Sequence, residues 1–205
     1  MRRGGIICLC VGICCLLLAV GGILYNQYDD QKAAAMSESL LQDVQAAIND
    51  NTQDGSGLTV SLQEDELIAV EGDLPTTQVD VYESIGVLSI PVLGIELPVL
   101  TDWSYAKLKL APCVYYGTYE SPNFVIAAHN YSSHFGRLSK LQPEDLIIFT
   151  DVSGTAHVYE VILIETLPPD ATEEMLTSGF DLSLYTCTPG GSNRVTVRCN
   201  TYTKN

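Results

Sequence analysis

Eight short apolar runs crowd the segment from Tyr82 to Tyr202: IGVLSIPVL, IELPVL, CVYYG, NFVIAAH, DLIIFTD, HVYEVILIETL, DLSLYTC and RVTVRCNTY. Each is rich in branched or aromatic residues, and Gly, Pro, Asn, Asp and Ser punctuate the gaps, which is the pattern of strands joined by turns. Short strands at such regular spacing predict an all-β fold, a closed barrel or a sandwich. Pro91 and Pro98 cannot donate to a ladder and so fall at strand edges or ends. Two short helices are predicted within this region, at Trp103–Leu110 and Thr172–Thr177. Asp170 or Thr172 would cap the second, and Glu173 and Glu174 lie in its first turn.

A second feature concerns location. The run IICLCVGICCLLLAVGGILY, Ile6 to Tyr25, carries no charge. At about 1.5 Å per residue its twenty residues match a hydrocarbon core of about 30 Å. Arg2 and Arg3 precede it and Asp29 and Asp30 follow it. That bias predicts a cytoplasmic N-terminus, a single membrane pass and an extracellular remainder. A cleaved signal peptide is the competing reading, disfavoured by the length of the run and by the lack of a clear small-residue cleavage site. Beyond it, Gln31 to Ile48 reads as a helix, with Met36, Leu40, Leu41, Val44, Ala47 and Ile48 at helical spacing. It is expected to serve as a stalk. The turn formers NDNTQDGSG then break the pattern, and one strand is conceivable at Leu58–Leu62 in the acidic linker. The chain thus divides into a tip and anchor (1–25), an extracellular stalk and linker (26–81) and a barrel (82–205).

Charge narrows the partners. All 25 acidic residues lie after Tyr25, against eight of the ten basic ones, so the exported part stands at −17. A surface this acidic excludes nucleic acid as a partner, because a phosphate backbone requires a basic face.

Of seven cysteines, Cys8, Cys10, Cys14 and Cys15 lie in the apolar run. Cys113, Cys187 and Cys199 lie outside it, and an odd number leaves at least one thiol unpaired. Cys113 and Cys199 could pair, but are expected to be core residues. Cys187 ends an apolar run and opens into the turn TPGG. His129 likewise ends FVIAAH and opens into a polar loop. Two strand ends bearing a thiol and an imidazole meet the requirements of nucleophilic thiol chemistry, provided they share one rim. Arg194 and Arg198 follow Cys187. A nearby guanidinium favours the thiolate and can donate to a tetrahedral oxyanion. The two arginines are four residues apart and point to the same side of a continuous strand. His157 starts a strand with no partner in view and is expected to be exposed. The spacings of His129, His134, Cys187 and Cys199 match no familiar zinc pattern, and no metal or cofactor is expected.

The segment LSLYTC, with an arginine on the next strand, resembles the signature of the sortases, membrane-anchored cysteine transpeptidases of Gram-positive bacteria, whose motif reads TLxTC. Ser183 stands for the first threonine, followed by Leu184, Tyr185, Thr186 and Cys187. NFVIAAHNYSSHFGRLSKL is similar to the family's histidine segment, with Ala128 in place of the usual glycine. IGVLSIPVLGIELPVL resembles its opening strand pair. The resemblance covers about Tyr82 to Tyr202 and implies an eight-stranded sortase-like barrel. It implies Cys187 as nucleophile, His129 as general acid and Arg194 as the arginine that holds substrate and oxyanion. Arg198 is the alternative arginine, and Thr186 the lead-in to the thiol on the substrate side. It further implies cleavage of a C-terminal sorting signal of the LPxTG type through a thioacyl intermediate, with transfer to an amine of a cell-wall precursor or a pilin. The partners would be sorting-signal-bearing surface proteins. A barrel that has lost catalysis and only binds peptide or wall is the alternative. The linker lacks the short aspartate-aromatic motif of many pilin-type members.

Overall fold

In the computed structural model, which describes residues 2–53 and 75–204, the chain begins with one uninterrupted helix, α1 (Arg2–Gln53). The expected membrane run and the expected stalk are therefore a single element of ~78 Å. Its first half is long and apolar enough to cross a membrane. The helix runs past the predicted end at Ile48 to Gln53, and the strand considered at Leu58–Leu62 lies outside the described residues.

All eight predicted strands form, as β2 (Tyr82–Ile90), β3 (Ile95–Leu100), β4 (Cys113–Tyr116), β5 (Phe124–Ala127), β6 (Leu146–Asp151), β7 (Ala156–Leu167), β8 (Leu182–Cys187) and β9 (Arg194–Thr201). A three-residue strand before them, β1 (Thr77–Val79), was not anticipated. The order β2-β3-β4-β5-β8-β9-β7-β6 closes on itself because β6 also pairs with β2, giving an eight-stranded barrel. β1 pairs antiparallel with the start of β2. At the closure, Gly86 has φ of +147°, and a Cβ there would stand 2.1 Å from the Thr150 carbonyl oxygen, so only glycine lets β2 and β6 approach. Inward side chains from most strands, among them Leu88, Phe124, Ile126, Phe149, Leu184 and Val197, fill the interior.

The helical insertions are smaller than predicted. Trp103–Leu110 contributes only a 3-10 turn at Lys107–Lys109. The second helix, α2, spans Thr172–Leu176 with Ala171 at its N-cap and no side-chain cap bond, so neither Asp170 nor Thr172 caps it.

The stalk expectation also needs correction, since the second half of α1 lies on the barrel. Ala33, Ser37, Leu40, Val44 and Ile48 are buried along one face. The spacing of three and four residues is that of one side of a helix. Leu40, Val44 and Ile48 pack on Val79, Val87, Leu100, Ala111 and Cys113 in a second apolar cluster outside the barrel. Burial of each large side chain there contributes about 1.5–3 kcal/mol. Gln45 Nε2 donates to Glu96 at 2.9 Å, and Asn51 Nδ2 donates to the Val152 carbonyl at 2.9 Å. Met36, counted in the periodic face from sequence, is 45% exposed; the small residues Ala33 and Ser37 face the barrel instead.

Candidate active site

The neighbouring strands β5 and β8 run parallel, paired from Phe124↔Leu182 to Ala127↔Tyr185. The pairing continues past the strand ends: the Ala128 N–H donates to the Tyr185 carbonyl at 3.2 Å, and Thr186 Oγ1 donates to the Ala128 carbonyl at 2.8 Å. One further step in the same register sets His129 level with Cys187. Adjacent strands lie about 4.8 Å apart, and parallel partners in register present their side chains to the same face. Both residues are half-buried and line one cleft of about 290 Å³ at the barrel rim.

Arg194 completes the group from the opposite neighbour. The β8–β9 hairpin pairs Cys187 directly with Arg194, and Ser183 with Arg198. Of the two arginines, Arg194 lines the cleft. Its Nη1 donates to the carbonyls of Gly191 and Asn193, both at 3.1 Å, so the turn itself steadies the guanidinium. Arg198 is 2% exposed and lies four residues deeper. Its Nε donates to Glu165 at 2.8 Å, Nη1 to Ser183 Oγ at 2.9 Å and Nη2 to the Glu174 carbonyl at 2.8 Å, pinning α2 to the barrel. Those contacts commit its guanidinium to structure. Thr186 is buried, and its hydroxyl is committed to Ala128.

His129 leads a tight loop. Phe135 N–H donates to the His129 carbonyl at 3.3 Å, and the N–H groups of His134 and Gly136 donate to the Tyr131 carbonyl at 3.0 and 2.8 Å. A Cβ at Gly136 would stand 2.5 Å from the Asn130 carbonyl oxygen, so the loop closes around glycine. Burial, followed by the nearby Lys109 ammonium, pushes the His129 imidazole below its ordinary value, with Asn130 and Asp29 opposing. Its Nδ1 is buried and has no hydrogen-bond partner among the described residues.

Sequence reading missed the rest of the cleft. Tyr185, two residues before the thiol on the same strand face, meets Tyr115 edge-on at 5.2 Å, and Trp103 lies tilted by 39° against Tyr115 at 5.5 Å. Met175 and Pro169 also line the cleft. The two-residue spacing of Tyr185 and Cys187 was the available signal. His157 is not the free residue expected: its Nε2 lies 3.1 Å from Asp151 Oδ2, and its ring lies 4.7 Å from that of Tyr119. The β6–β7 ladder pairs it with Phe149, two residues from Asp151 on the same strand face. Cys113 and Cys199 are free and buried, as core residues. Burial pushes the Cys113 thiol up to about 12, and the Cys199 thiol higher.

A thiol, an imidazole and a guanidinium on one rim of a closed barrel form the constellation of a cysteine acyl-transfer site. The Sortase domain family model matches residues 88–202, more than half of the chain. The chain belongs to the sortase family of cysteine transpeptidases. Among solved structures, sortase C1 from Streptococcus suis is similar at 26% identity with a TM-score of 0.53, covering 62% of this chain and 76% of its own. Sortase C from Clostridium perfringens SM101 is similar in fold at 21% identity and a TM-score of 0.52, over 83% of this chain and 91% of its own. A Clostridium perfringens sortase C with its C-terminal cell wall sorting motif shares the fold at 23% identity and a TM-score of 0.51, covering 82% of this chain and 90% of its own. No curated protein matches the chain.

Proposed function

We propose that this chain cleaves an LPxTG-like C-terminal sorting signal and transfers the shortened protein, through a thioacyl-enzyme on Cys187, to an amine of a cell-wall precursor or a pilin. The observation that carries this reading is the shared rim: Cys187, His129 and Arg194 line one cleft, and the β8–β9 hairpin pairs Cys187 with Arg194. A solved sortase C with a sorting motif lends support for the substrate class.

In the first half-reaction the Cys187 proton passes to His129 Nε2, and the thiolate sulfur attacks the carbonyl carbon of the scissile amide. Arg194 donates to the oxygen as it gains negative charge, the kind of preorganised contact that lowers such barriers most. As the carbon–nitrogen bond breaks, the imidazolium returns its proton to the leaving amine. In the second, an incoming amine nitrogen attacks the thioester, loses its proton to His129, and expels the Cys187 thiolate. A half-buried imidazole held below its ordinary value starts neutral near pH 7, ready to accept the thiol proton.

The anchor is residues 1–25, crossing the membrane with its N-terminus cytoplasmic, and the catalytic barrel is residues 82–205, extracellular. Arg2 and Arg3 before the apolar run and acidic residues after it support this orientation. A panel of fluorogenic sorting-signal peptides, with mass spectrometry of the enzyme, tests the reading. Cleavage and an acyl adduct on Cys187, both lost in Cys187→Ala, are expected. Binding of peptide with neither cleavage nor adduct would show instead a barrel that only binds.

A further inference from the structure

Tyr131 is buried between two histidines and the anchor helix. Its ring stacks on that of His129 at 4.1 Å and 14°, and meets His134 edge-on at 5.6 Å. Its hydroxyl donates to the carboxylate of Asp29 on α1. The next two residues continue the contact: the Ser132 and Ser133 hydroxyls donate to Asp30, the second at 2.8 Å. Asp29 and Asp30 are the first charges after the apolar run, about one helical turn past Tyr25.

A catalytic imidazole is ordinarily held by a hydrogen bond to its second ring nitrogen, which fixes both tautomer and plane. His129 Nδ1 makes no such bond among the described residues. The Asn130 side chain bonds to the imidazole, and the face of the ring lies flat on Tyr131, whose hydroxyl is held by Asp29. A misplacement of about 1 Å at a reacting group can cost about 100-fold in rate, so an orienting contact of this kind has catalytic weight.

We propose that Asp29 and Tyr131 are positioning residues for the transpeptidation: α1 holds the Tyr131 ring, and that ring holds the plane of the His129 imidazole towards Cys187. The inference rests on the proposed role of His129 as proton carrier. It makes the docked helix a working part of the site, because the element that continues into the apolar run also carries the orienting carboxylate.

The charged and titratable groups around His129 come from every side. Asp29 and Asp30 lie on α1, Lys109 on the segment between β3 and β4, His134 on its own loop, and Cys187 and Arg194 across the cleft. Asp29 favours the imidazolium, while burial and Lys109 oppose it. Removing the Asp29 charge therefore lowers the His129 titration midpoint further.

The full chain in detergent micelles carries the test, with Asp29→Asn, Tyr131→Phe, their double variant, Tyr131→Ala, and Ser132→Ala as a control at the same interface. NMR of labelled histidine follows the His129 titration without substrate, and peptide cleavage gives kcat and KM across pH. Asp29→Asn is expected to move the titration down. Asp29→Asn and Tyr131→Phe are each expected to lower kcat about 10-fold, with KM within about twofold and the double variant no worse than either. Tyr131→Ala is expected to lose more, and Ser132→Ala to match the wild type. Wild-type kcat in both Asp29→Asn and Tyr131→Phe, multiplying losses in the double variant, or an equal loss in Ser132→Ala would overturn the proposal. The two nearly isosteric variants decide the matter even if Tyr131→Ala fails to fold. A wild-type chain that cleaves no sorting peptide defeats the functional reading, whereas an unmoved titration in Asp29→Asn defeats this one.

Discussion

Thr186 Oγ1 donates to the Ala128 carbonyl at 2.8 Å, tying the residue before the thiol to the residue before the imidazole. Beyond the last β5–β8 ladder pair, this bond and the Ala128–Tyr185 backbone bond carry the register out to the rim. Thr186→Val keeps the shape and leaves a buried carbonyl without its donor. The expected cost is about 1–2 kcal/mol of stability and about a 10-fold loss in kcat/KM from altered spacing of the two groups. Thr186→Ser should restore both. Denaturant titration and peptide cleavage check the pair, and a fully active Thr186→Val chain would show that the rim spacing is set elsewhere.

Arg194 and Arg198 should separate cleanly. Arg194→Ala is expected to lower kcat about 100-fold or more, the usual loss for one oxyanion donor, with stability unchanged because its contacts lie within its own turn. Arg198→Ala opens a void under α2 and strips partners from Glu165 and Ser183. Its expected effect is about 3 kcal/mol of destabilisation. Parallel measurement of kcat and unfolding free energy distinguishes them, and reversal of the two phenotypes would reassign the arginine.

The barrel could be read from sequence because its strands are long enough to show branched, apolar runs between turn residues. β1 could not, since Thr77–Val79 offers three residues and no pattern. The docking of α1 was hidden for a related reason: two of its five buried positions, Ala33 and Ser37, are small and carry little apolar signal. Spacing alone put Arg194 and Arg198 on one strand face. The preference for Arg194 over Arg198 was already available from sequence, and the Cys187↔Arg194 pairing set by the turn supplies its physical reason. His157 found its partner across a ladder, in Asp151, which no local pattern could reveal.

His134 should make the fold sensitive to acid. The side chain is fully buried, both ring nitrogens lack partners among the described residues, and burial pushes it down from 6.5 to about 4. Because the folded chain holds this group neutral below its unfolded midpoint, the unfolded state binds the extra proton. Its contribution is therefore fully present above pH 6.5 and lost as pH falls towards about 4, amounting to about 3 kcal/mol. His134→Phe should flatten the fall in Tm across that window. A slope identical to the wild type would mean that other groups carry it.

The docked half of α1 should come off the barrel without unravelling the anchor. Val44 is fully buried at the centre of its contact with Val87, Leu100 and Cys113. A carboxylate introduced there by Val44→Asp enters an apolar cluster, and leaving it buried costs more than exposing the helix face. A helix of some twenty residues released into water is marginal on its own, but α1 is continuous with an apolar run long enough to cross a membrane, and a bilayer keeps such a run helical. Hydrogen exchange on the full chain in a bilayer should therefore speed up from about residue 33 to 53 and stay slow from Cys8 to Tyr25. Exchange at the barrel strands β5, β8 and β9, whose core is separate from that cluster, should change little. Uniform loss of protection across the barrel would instead mean that α1 and the strands unfold as one unit.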